Sequence, residues 1–209
     1  MAKKENGRVS GAADGKTLML VQLGALVAIM LILHFTGFGY FKIGVFSLTI
    51  MAVPMIIGAV TIGKTAGAVL GGIFGVTVLT LPETMFFMNI NLAGTFFVVV
   101  GTRVILGFLC GLMFQGFSKF DKQKIWSYGA TGLITAMLNT VFIMGGIALI
   151  FGSDPAVREV FGAADAAGFA FFAIIFGAVI VQAAIEAGIC MVIAGSAAKA
   201  IHIFFKKGS

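Results

Sequence analysis

The sequence predicts an all-α integral membrane protein with six transmembrane helices and both chain termini in the cytoplasm. Of its 209 residues, 60% are hydrophobic and 11% are charged, and the mean hydropathy is +1.11. With its 29 glycines included, about three quarters of the chain is apolar, against about 45–50% in soluble domains. This composition excludes a soluble globular domain. The spacing of the apolar runs and the distribution of basic residues predict the number and orientation of the helices.

Each predicted transmembrane helix is an apolar run of about the length that crosses a bilayer. A hydrocarbon core about 30 Å thick needs about 20 helical residues, each contributing about 1.5 Å. The runs cover residues 17–35, 46–62, 65–81, 95–117, 125–151 and 169–198. Only Gly63 and Lys64 separate the second run from the third, which predicts a tight turn between two antiparallel helices.

The basic residues predict the orientation of the helices. Lys42 and Arg158 lie at the end of the bundle opposite the termini, and Arg103 lies within a run. Because basic residues concentrate in cytoplasmic segments, both termini are predicted to be cytoplasmic. The net charge of +6 mostly reflects this bias and leaves no basic face that would indicate nucleic acid binding. The basic residues at the end that carries the termini are Lys3, Lys4, Arg8, Lys16, Lys64, Lys119, Lys122, Lys124, Lys199, Lys206 and Lys207.

The chain is predicted to form one membrane domain with a short tail. Residues 1–16 are polar and are expected to be a flexible cytoplasmic tail, and residues 17–209 a single six-helix domain. Cys110 and Cys190 lie in apolar runs and are interpreted as small core residues. No pattern typical of a nucleophilic or metal site accompanies the two histidines. We therefore expect no enzymatic activity, no cofactor and no metal.

One segment matches a nucleotide-binding motif without its structural setting. Residues 58–65 fit the phosphate-loop pattern GxxxxGK[ST], which requires a preceding strand and a following helix within a soluble α/β sheet. Here the first half of the motif completes an apolar run. Lys64 is therefore interpreted as a cytoplasmic anchor at a turn rather than as a phosphate ligand.

Two ionisable residues lie inside predicted helices. Arg103 lies in the fourth run, and Glu186 lies near the middle of the sixth. Each charge costs at least about 2.5–3.5 kcal/mol at the bilayer centre unless it is paired or hydrated. Either Arg103 binds a carboxylate of a ligand, or Arg103 and Glu186 form an internal ion pair that only fixes helix packing. The sequence alone leaves both alternatives open.

Uncharged polar residues favour an internal cavity. Thr131, Thr135 and Asn139 recur every four residues in the fifth run, and Gln182 and Glu186 have the same spacing in the sixth. Threonine hydroxyls can bond to carbonyls of their own helix, but side-chain amides have four hydrogen-bonding positions and need other partners. Asn139 and Gln182 therefore predict a polar cavity between helices.

Two segments at the non-cytoplasmic end are candidates for a lid. Residues 37–45 and 82–94 are rich in aromatic residues, which an ordinary interfacial aromatic belt would also explain. Apolar groups beside polar ones are typical of a surface that closes over a small amphipathic ligand. Tyr40, Asn89 and Asn91 are therefore candidate ligand contacts in this lid.

Small residues spaced by four predict close contacts between helices. In the first run, Gly24 and Ala28 form such a pair, and a terminal helix is a suitable surface for docking another protein. The corresponding residues of the third and fourth runs, which predict packing within the bundle, are Gly67, Gly71, Gly75, Gly107 and Gly111.

Four stretches of the chain resemble a known family of membrane proteins. They read LTIMAVPMIIG at 48–58, KTAGAVLGGIFG at 64–75, TRVILG at 102–107 and LNTVF at 138–142. Together with six apolar runs in a chain of this length, they resemble the substrate-binding S components of energy-coupling factor (ECF) transporters, which import vitamins. The likeness covers nearly the whole chain from Thr17, and the pattern is most similar to that of pantothenate-type members.

The resemblance implies a multi-pass subunit of the bacterial cytoplasmic membrane that captures a small water-soluble vitamin or precursor, with pantothenate as the first expectation. It also implies partner chains, namely a transmembrane coupling subunit and two cytoplasmic ATPases, because an S component hydrolyses nothing itself. By position, Gly24 and Ala28 match the docking surface of the family's first helix. Arg103 and Asn139 fall where pocket residues of the family lie.

On this interpretation, Arg103 is expected to bind a carboxylate, and Asn139 and Gln182 are expected to recognise hydroxyl or amide groups. Two other classes of function stay open. A self-contained channel or secondary carrier for a small solute would use Glu186 as a proton relay. A ligand-free structural membrane partner would use Arg103 and Glu186 only as an internal strut.

Overall fold

The structure is a computed structural model that describes residues 3–43, 46–121, 125–163, 165, 168–194 and 196. These residues form α-helices, one two-stranded hairpin and two π-helical turns. The π-helical turns continue α5 into α6 and extend α9, over Phe97–Gly101 and Cys190–Ala194 respectively. The other elements, in chain order, are α1 (Lys3–Phe35), β1 (Tyr40–Ile43), β2 (Phe46–Thr49), α2 (Ala52–Thr61), α3 (Lys64–Val78), α4 (Pro82–Ile90), α5 (Leu92–Phe96), α6 (Thr102–Phe117), α7 (Ile125–Phe151), α8 (Pro155–Val160) and α9 (Phe169–Ile189).

Three helical segments of the described chain are long and apolar enough to cross a bilayer by themselves: Gly15–Phe35, Leu92–Phe117 and Trp126–Phe151. Two bent pairs raise the number to five if each pair is one span. The first pair is α3 with α4, which meet at 86°. The second pair is Phe169–Gly177 with Val179–Ile193, which meet at 56° at a break inside α9. By length and composition, the structure supports three to five of the six predicted spans.

The second predicted run divides into a strand and a short helix. Residues 46–49 form β2, which pairs antiparallel with β1 and places Thr49 opposite Tyr40. Only Ala52–Thr61 is helical, and the fold is helical apart from this hairpin. An apolar segment of this composition can form either a strand or a helix, and pairing with β1 makes residues 46–49 a strand. At 10 residues α2 is about 15 Å long, and nine of its residues are buried by the surrounding chain rather than exposed to lipid.

Residues 3–16, which the sequence predicts as a tail, continue the first apolar run as part of α1. The helix has 33 residues and a length of about 50 Å, so it extends well beyond the hydrocarbon core. Lysine, glutamate and arginine have helix propensities close to that of alanine, which allows a polar segment to remain helical.

The helices α3 and α6 pack backbone against backbone, as their small-residue spacing predicts. A Cβ atom added to Gly67 would collide with the carbonyl of Gly107, and one added to Gly71 would collide with the carbonyl of Arg103. Any side chain at these two glycines would separate the helices. The contact therefore fixes the backbone from which the Arg103 side chain projects.

The helices enclose two apolar clusters of buried residues. The first cluster joins α1, α2, α3 and α6 around side chains such as Met55, Leu70 and Phe74. The second joins α7, α8 and α9 around side chains such as Phe151 and Phe171. Large apolar side chains also cover the outside of the bundle, where lipid would surround them. Examples of these exposed side chains are Leu20, Leu149, Phe169 and Val181.

Gly71→Ala is expected to lower the unfolding free energy of the protein in detergent by about 1–3 kcal/mol, because the new methyl group would collide with the Arg103 carbonyl. Gly188→Ala in α9 is the matched control, since a Cβ atom there meets no described atom within 4 Å and alanine favours a helix. Thermal unfolding measures both variants. Equal melting temperatures would contradict the close contact between α3 and α6.

Candidate functional site

A cavity of about 280 Å³ lies at the end of the bundle that carries the hairpin, α4 and α8. Both apolar clusters contribute to its walls. Its size approaches the lower end of the range of about 300–1,000 Å³ that is typical of small-molecule sites. Among its aromatic walls are Phe74, Phe86, Phe87, Phe151 and Phe161. Its polar lining residues are Tyr40, Thr49, Glu83, Thr84, Thr95, Arg103, Asn139, Thr140, Gln182 and Glu186.

Arg103 brings a positive charge to the cavity wall. It is the second residue of α6, two residues after the end of the π-helical turn, and is only 7% exposed. Its Nη1 donates a 2.7 Å hydrogen bond to the carbonyl of Val99 in that turn, and its guanidinium carbon lies 4.5 Å from the centre of the Phe74 ring. Its Nε is buried without a hydrogen-bond partner in the described structure. The side chain is thus held in place and still has a donor to offer.

The three other polar residues predicted for the pocket line the same cavity. Asn139 projects from α7, and Gln182 and Glu186 project from α9 one helical turn apart. Asn139 and Glu186 are almost completely buried, and neither Asn139 Oδ1 nor Glu186 Oε1 has a hydrogen-bond partner among the described residues. Buried polar atoms normally have such partners, so these two acceptors are unusual in a folded protein.

Arg103 and Glu186 share the cavity without forming an ion pair. Both side chains belong to the described part of the chain, and they interact only through longer-range electrostatic attraction. The described side chains therefore do not form the internal ion pair of the second alternative, and binding of a ligand carboxylate by Arg103 stays a prediction.

The polar stripe of α7 continues past the cavity. Thr131 and Thr135 are fully buried, and their hydroxyls have no hydrogen-bond partner among the described residues. The thiol of Cys110 on α6 lies beside Thr135. These groups extend the polar interior of the bundle away from the lid.

Tyr40 belongs to β1, and its side chain reaches the cavity from the hairpin. Burial raises the pKa of its phenol, while the nearby Thr77 hydroxyl and the Arg103 cation oppose the shift. The hydroxyl is therefore protonated at neutral pH and can donate a hydrogen bond.

The second predicted lid segment, residues 82–94, is mostly helical. The residues that it directs toward the cavity do not include Asn89 and Asn91. Because α3 and α4 meet at 86°, α4 lies across the end of the bundle. Glu83, Thr84 and Phe87 face the cavity from α4. Asn89 and Asn91 are exposed and lie outside the cavity lining, and Asn91 Oδ1 accepts a 2.9 Å hydrogen bond from the backbone N–H of Gly94 as the N-cap of α5.

Sequence reasoning missed the inner face of α4 because it assigned no helix to residues 82–94. Pro82 is a common first residue of a helix, and its position was a signal for α4. Once the segment is helical, Glu83 and Phe87 fall on one face by their spacing of four. Thr95 and Phe74 were also missed, because nothing in the sequence separates them from ordinary packing residues.

The proposed docking pair lies on the outside of the bundle. Gly24 and Ala28 are exposed on α1, and a Cβ atom at Gly24 would meet no described atom within 4 Å. The pair therefore does not pack against any described helix of this chain. It forms part of an apolar surface together with Leu20, Val21 and Ile32.

The chemistry that the cavity offers is recognition of a small molecule. Its walls combine aromatic rings with a guanidinium, carboxylates, amides and hydroxyls. Among the described residues, no group of three or more His, Cys, Asp and Glu side chains could hold a metal ion. A mostly apolar cavity with a few converging polar groups is typical of a ligand-binding site.

The fold and the cavity define a multi-pass helical membrane protein with a small-molecule site. The family described as "ECF transporter, substrate-specific component" matches residues 18–195, and the chain belongs to this family. Members of the family are substrate-binding components of transporters rather than enzymes. No curated protein matches the chain closely enough to count as a relative.

Asn91→Ala is expected to lower the unfolding free energy by about 1 kcal/mol, because α5 would lose its N-cap. Asn91→Asp is the matched control, since a carboxylate oxygen can accept the same hydrogen bond from Gly94. Thermal or chemical unfolding in detergent measures the difference. If the two variants were equally destabilised, the capping role of Asn91 would be refuted.

Proposed function

We propose that the protein captures a small water-soluble vitamin or precursor outside the cell for ATP-driven uptake. Pantothenate is the first candidate for the ligand. A transmembrane coupling subunit and two cytoplasmic ATPases would be the partner chains, and the location would be the bacterial cytoplasmic membrane. The observation that carries the proposal is one cavity lined by Arg103, Asn139 and Glu186, each of which has a buried polar atom without a partner among the described residues.

The energetic cost of these atoms supports a ligand. An unsatisfied buried polar group costs about 1–3 kcal/mol, and more when it is charged. A protein whose only role was structural would gain stability by pairing or replacing these groups. A ligand that supplies the missing hydrogen bonds recovers this cost when it binds, which favours tight binding.

The groups present suit pantothenate. Its carboxylate would lie against Arg103, whose fixed guanidinium can make charge-assisted hydrogen bonds. Its amide and hydroxyl groups would contact Asn139, Gln182 and Tyr40, which offer both donors and acceptors. Its methyl groups would pack against the phenylalanine rings of the cavity.

The direction of capture follows from the charge distribution. Exposed Lys16, Lys64 and Lys119 lie toward the end of the bundle remote from the cavity. If basic residues mark the cytoplasmic side, both termini are cytoplasmic and the cavity opens to the outside. The six-span arrangement then includes α2 as a span enclosed by its neighbours, with the hairpin completing the crossing.

Docking to the coupling subunit would use α1. Gly24 and Ala28 leave a shallow strip on an otherwise bulky apolar surface. A partner helix can approach such a strip closely, which increases van der Waals contact in a bilayer where the hydrophobic effect does not drive association.

A screen of vitamins against the purified protein tests the proposed function. Thermal shift and calorimetry are expected to identify one vitamin that binds with nanomolar affinity. Absence of binding together with proton-coupled flux in liposomes that lack ATP and partner chains would instead identify a secondary carrier. Absence of both binding and flux would support a structural role.

Arg103→Ala is expected to weaken the binding of an anionic ligand by about 1.5–3 kcal/mol, the contribution of a charge-assisted hydrogen bond. Lys119→Ala removes an exposed cation away from the cavity and serves as the control. Calorimetric titration gives both affinities. Unchanged affinity in Arg103→Ala would remove Arg103 from the ligand site.

Gly24→Leu is expected to abolish co-purification with a coupling subunit and ATPases while the isolated protein still binds ligand, because a large side chain would fill the strip on α1. Gly188→Leu introduces the same side chain at another open glycine, on α9. Assembly is measured by affinity purification after co-expression. Intact assembly of Gly24→Leu would show that the docking surface lies elsewhere.

A further inference from the structure

The cavity is lined by two ionisable side chains of opposite type, Arg103 and Glu186, that form no ion pair with each other. Arg103 lies on α6 and Glu186 on α9, and both helices pack against α7. The two side chains are 7% and 4% exposed. Each retains a buried polar atom without a hydrogen-bond partner among the described residues, and Asn139 lies on the helix between them.

The position of Arg103 explains why the two charges stay apart. Its guanidinium is held by the Val99 carbonyl of its own helix and by the face of the Phe74 ring. Both contacts direct the cation to its own side of the cavity. The carboxylate of Glu186 is left with an acceptor that no described residue fills.

An ion pair that served only to hold helices together would place the two groups in direct contact, because an unpaired buried charge is costly. Two separated side chains in one cavity lining, each with a buried polar atom that lacks a hydrogen-bond partner among the described residues, instead complement a molecule with two different polar ends. Glu83 adds a second carboxylate at the lid, so the described cavity lining contains more acidic than basic side chains. A ligand that offered only negative charge would be poorly matched to this lining.

We infer that the ligand is bipolar: it carries an acidic group that binds Arg103 and, at its other end, hydrogen-bond donors that bind Glu186. The donors are an ammonium, an amide or ring N–H, or hydroxyl groups. An apolar middle packs against Phe74 and Phe151 between the two ends. This inference rests on the proposed function and narrows the substrate class of that site.

The first experiment needs no ligand. Thermal unfolding of the unliganded protein compares the wild type with Arg103→Gln, Glu186→Gln and the double variant. Because Glu186 has no ion-pair or hydrogen-bond partner among the described residues, Glu186→Gln is expected to leave the melting temperature unchanged or to raise it, and the effects of the two substitutions are expected to add. A lower melting temperature in both single variants, with no further loss in the double variant, would show an ion-paired strut and overturn the inference.

The second experiment uses pantothenate and two of its analogues. Panthenol replaces the carboxylate by an alcohol, and the other analogue lacks both hydroxyl groups of pantothenate. The wild type is expected to prefer pantothenate to each analogue by at least about tenfold, as charge-assisted hydrogen bonds at both ends would require. Arg103→Gln should lose only the preference over panthenol, and Glu186→Gln only the preference over the analogue without hydroxyls.

The affinities of the variants also form a double-mutant cycle. If the two residues bind opposite ends of the ligand, the losses in affinity of the single variants should multiply in the double variant to within about twofold. Equal affinity of the wild type for pantothenate and panthenol would overturn the inference while leaving the proposed function intact.

Failure of the proposed function has a different signature. If another vitamin binds in place of pantothenate, the inference requires that it carry both an acidic group and donors, as biotin does. Binding of thiamine or riboflavin, which have no carboxylate, would overturn the inference but support the proposed function. Binding of no vitamin would refute the proposed function, and the unfolding experiment would still decide whether Arg103 and Glu186 are paired.

Discussion

The close contact between α3 and α6 is the constraint on which the rest of the site depends. Gly71 leaves no space for a side chain against the carbonyl of Arg103, so the backbone of this buried cation is held against its neighbour. The turn that precedes Arg103 is π-helical, and its Val99 carbonyl accepts the hydrogen bond that orients the guanidinium. Because membrane helices gain little from the hydrophobic effect, this geometric fit is a main source of their association. Position and orientation of the charge thus follow from packing.

A buried cation such as Arg103 can contribute to ligand binding only where a ligand group can reach it. The cavity provides this condition by keeping Arg103, Asn139 and Glu186 in one space between the two apolar clusters. Low polarity in the walls strengthens each electrostatic interaction and raises the cost of leaving it unmade. If the cavity is the proposed ligand site, stability without ligand and affinity for the ligand are opposed there. A bound ligand that completes the hydrogen bonds resolves the conflict.

Two separate surfaces of the molecule differ in the residues that they present. At the cavity end, the hairpin and α4 cover the site with Tyr40 and Phe87, which form a wall of amphipathic and aromatic side chains. Along the outside, α1 exposes Gly24 and Ala28 to whatever surrounds the bundle. If the cavity binds the ligand and α1 binds the partner, as proposed, the separation of these surfaces would allow the two functions to be altered independently. Such independence would suit a subunit whose energy comes from other chains.

The sequence by itself determined the membrane class of the protein, because a bilayer imposes length and composition on every helix that crosses it. It also distinguished Arg103, Asn139 and Glu186 as polar residues within apolar runs, because burial of a polar side chain in a membrane costs free energy. Only the tertiary structure decided that Arg103 and Glu186 share a cavity without pairing, and that Glu83 and Phe87 of α4 face the same cavity. Those outcomes depend on how distant segments meet in space, and a local pattern of residues carries no information about the distance between two helices.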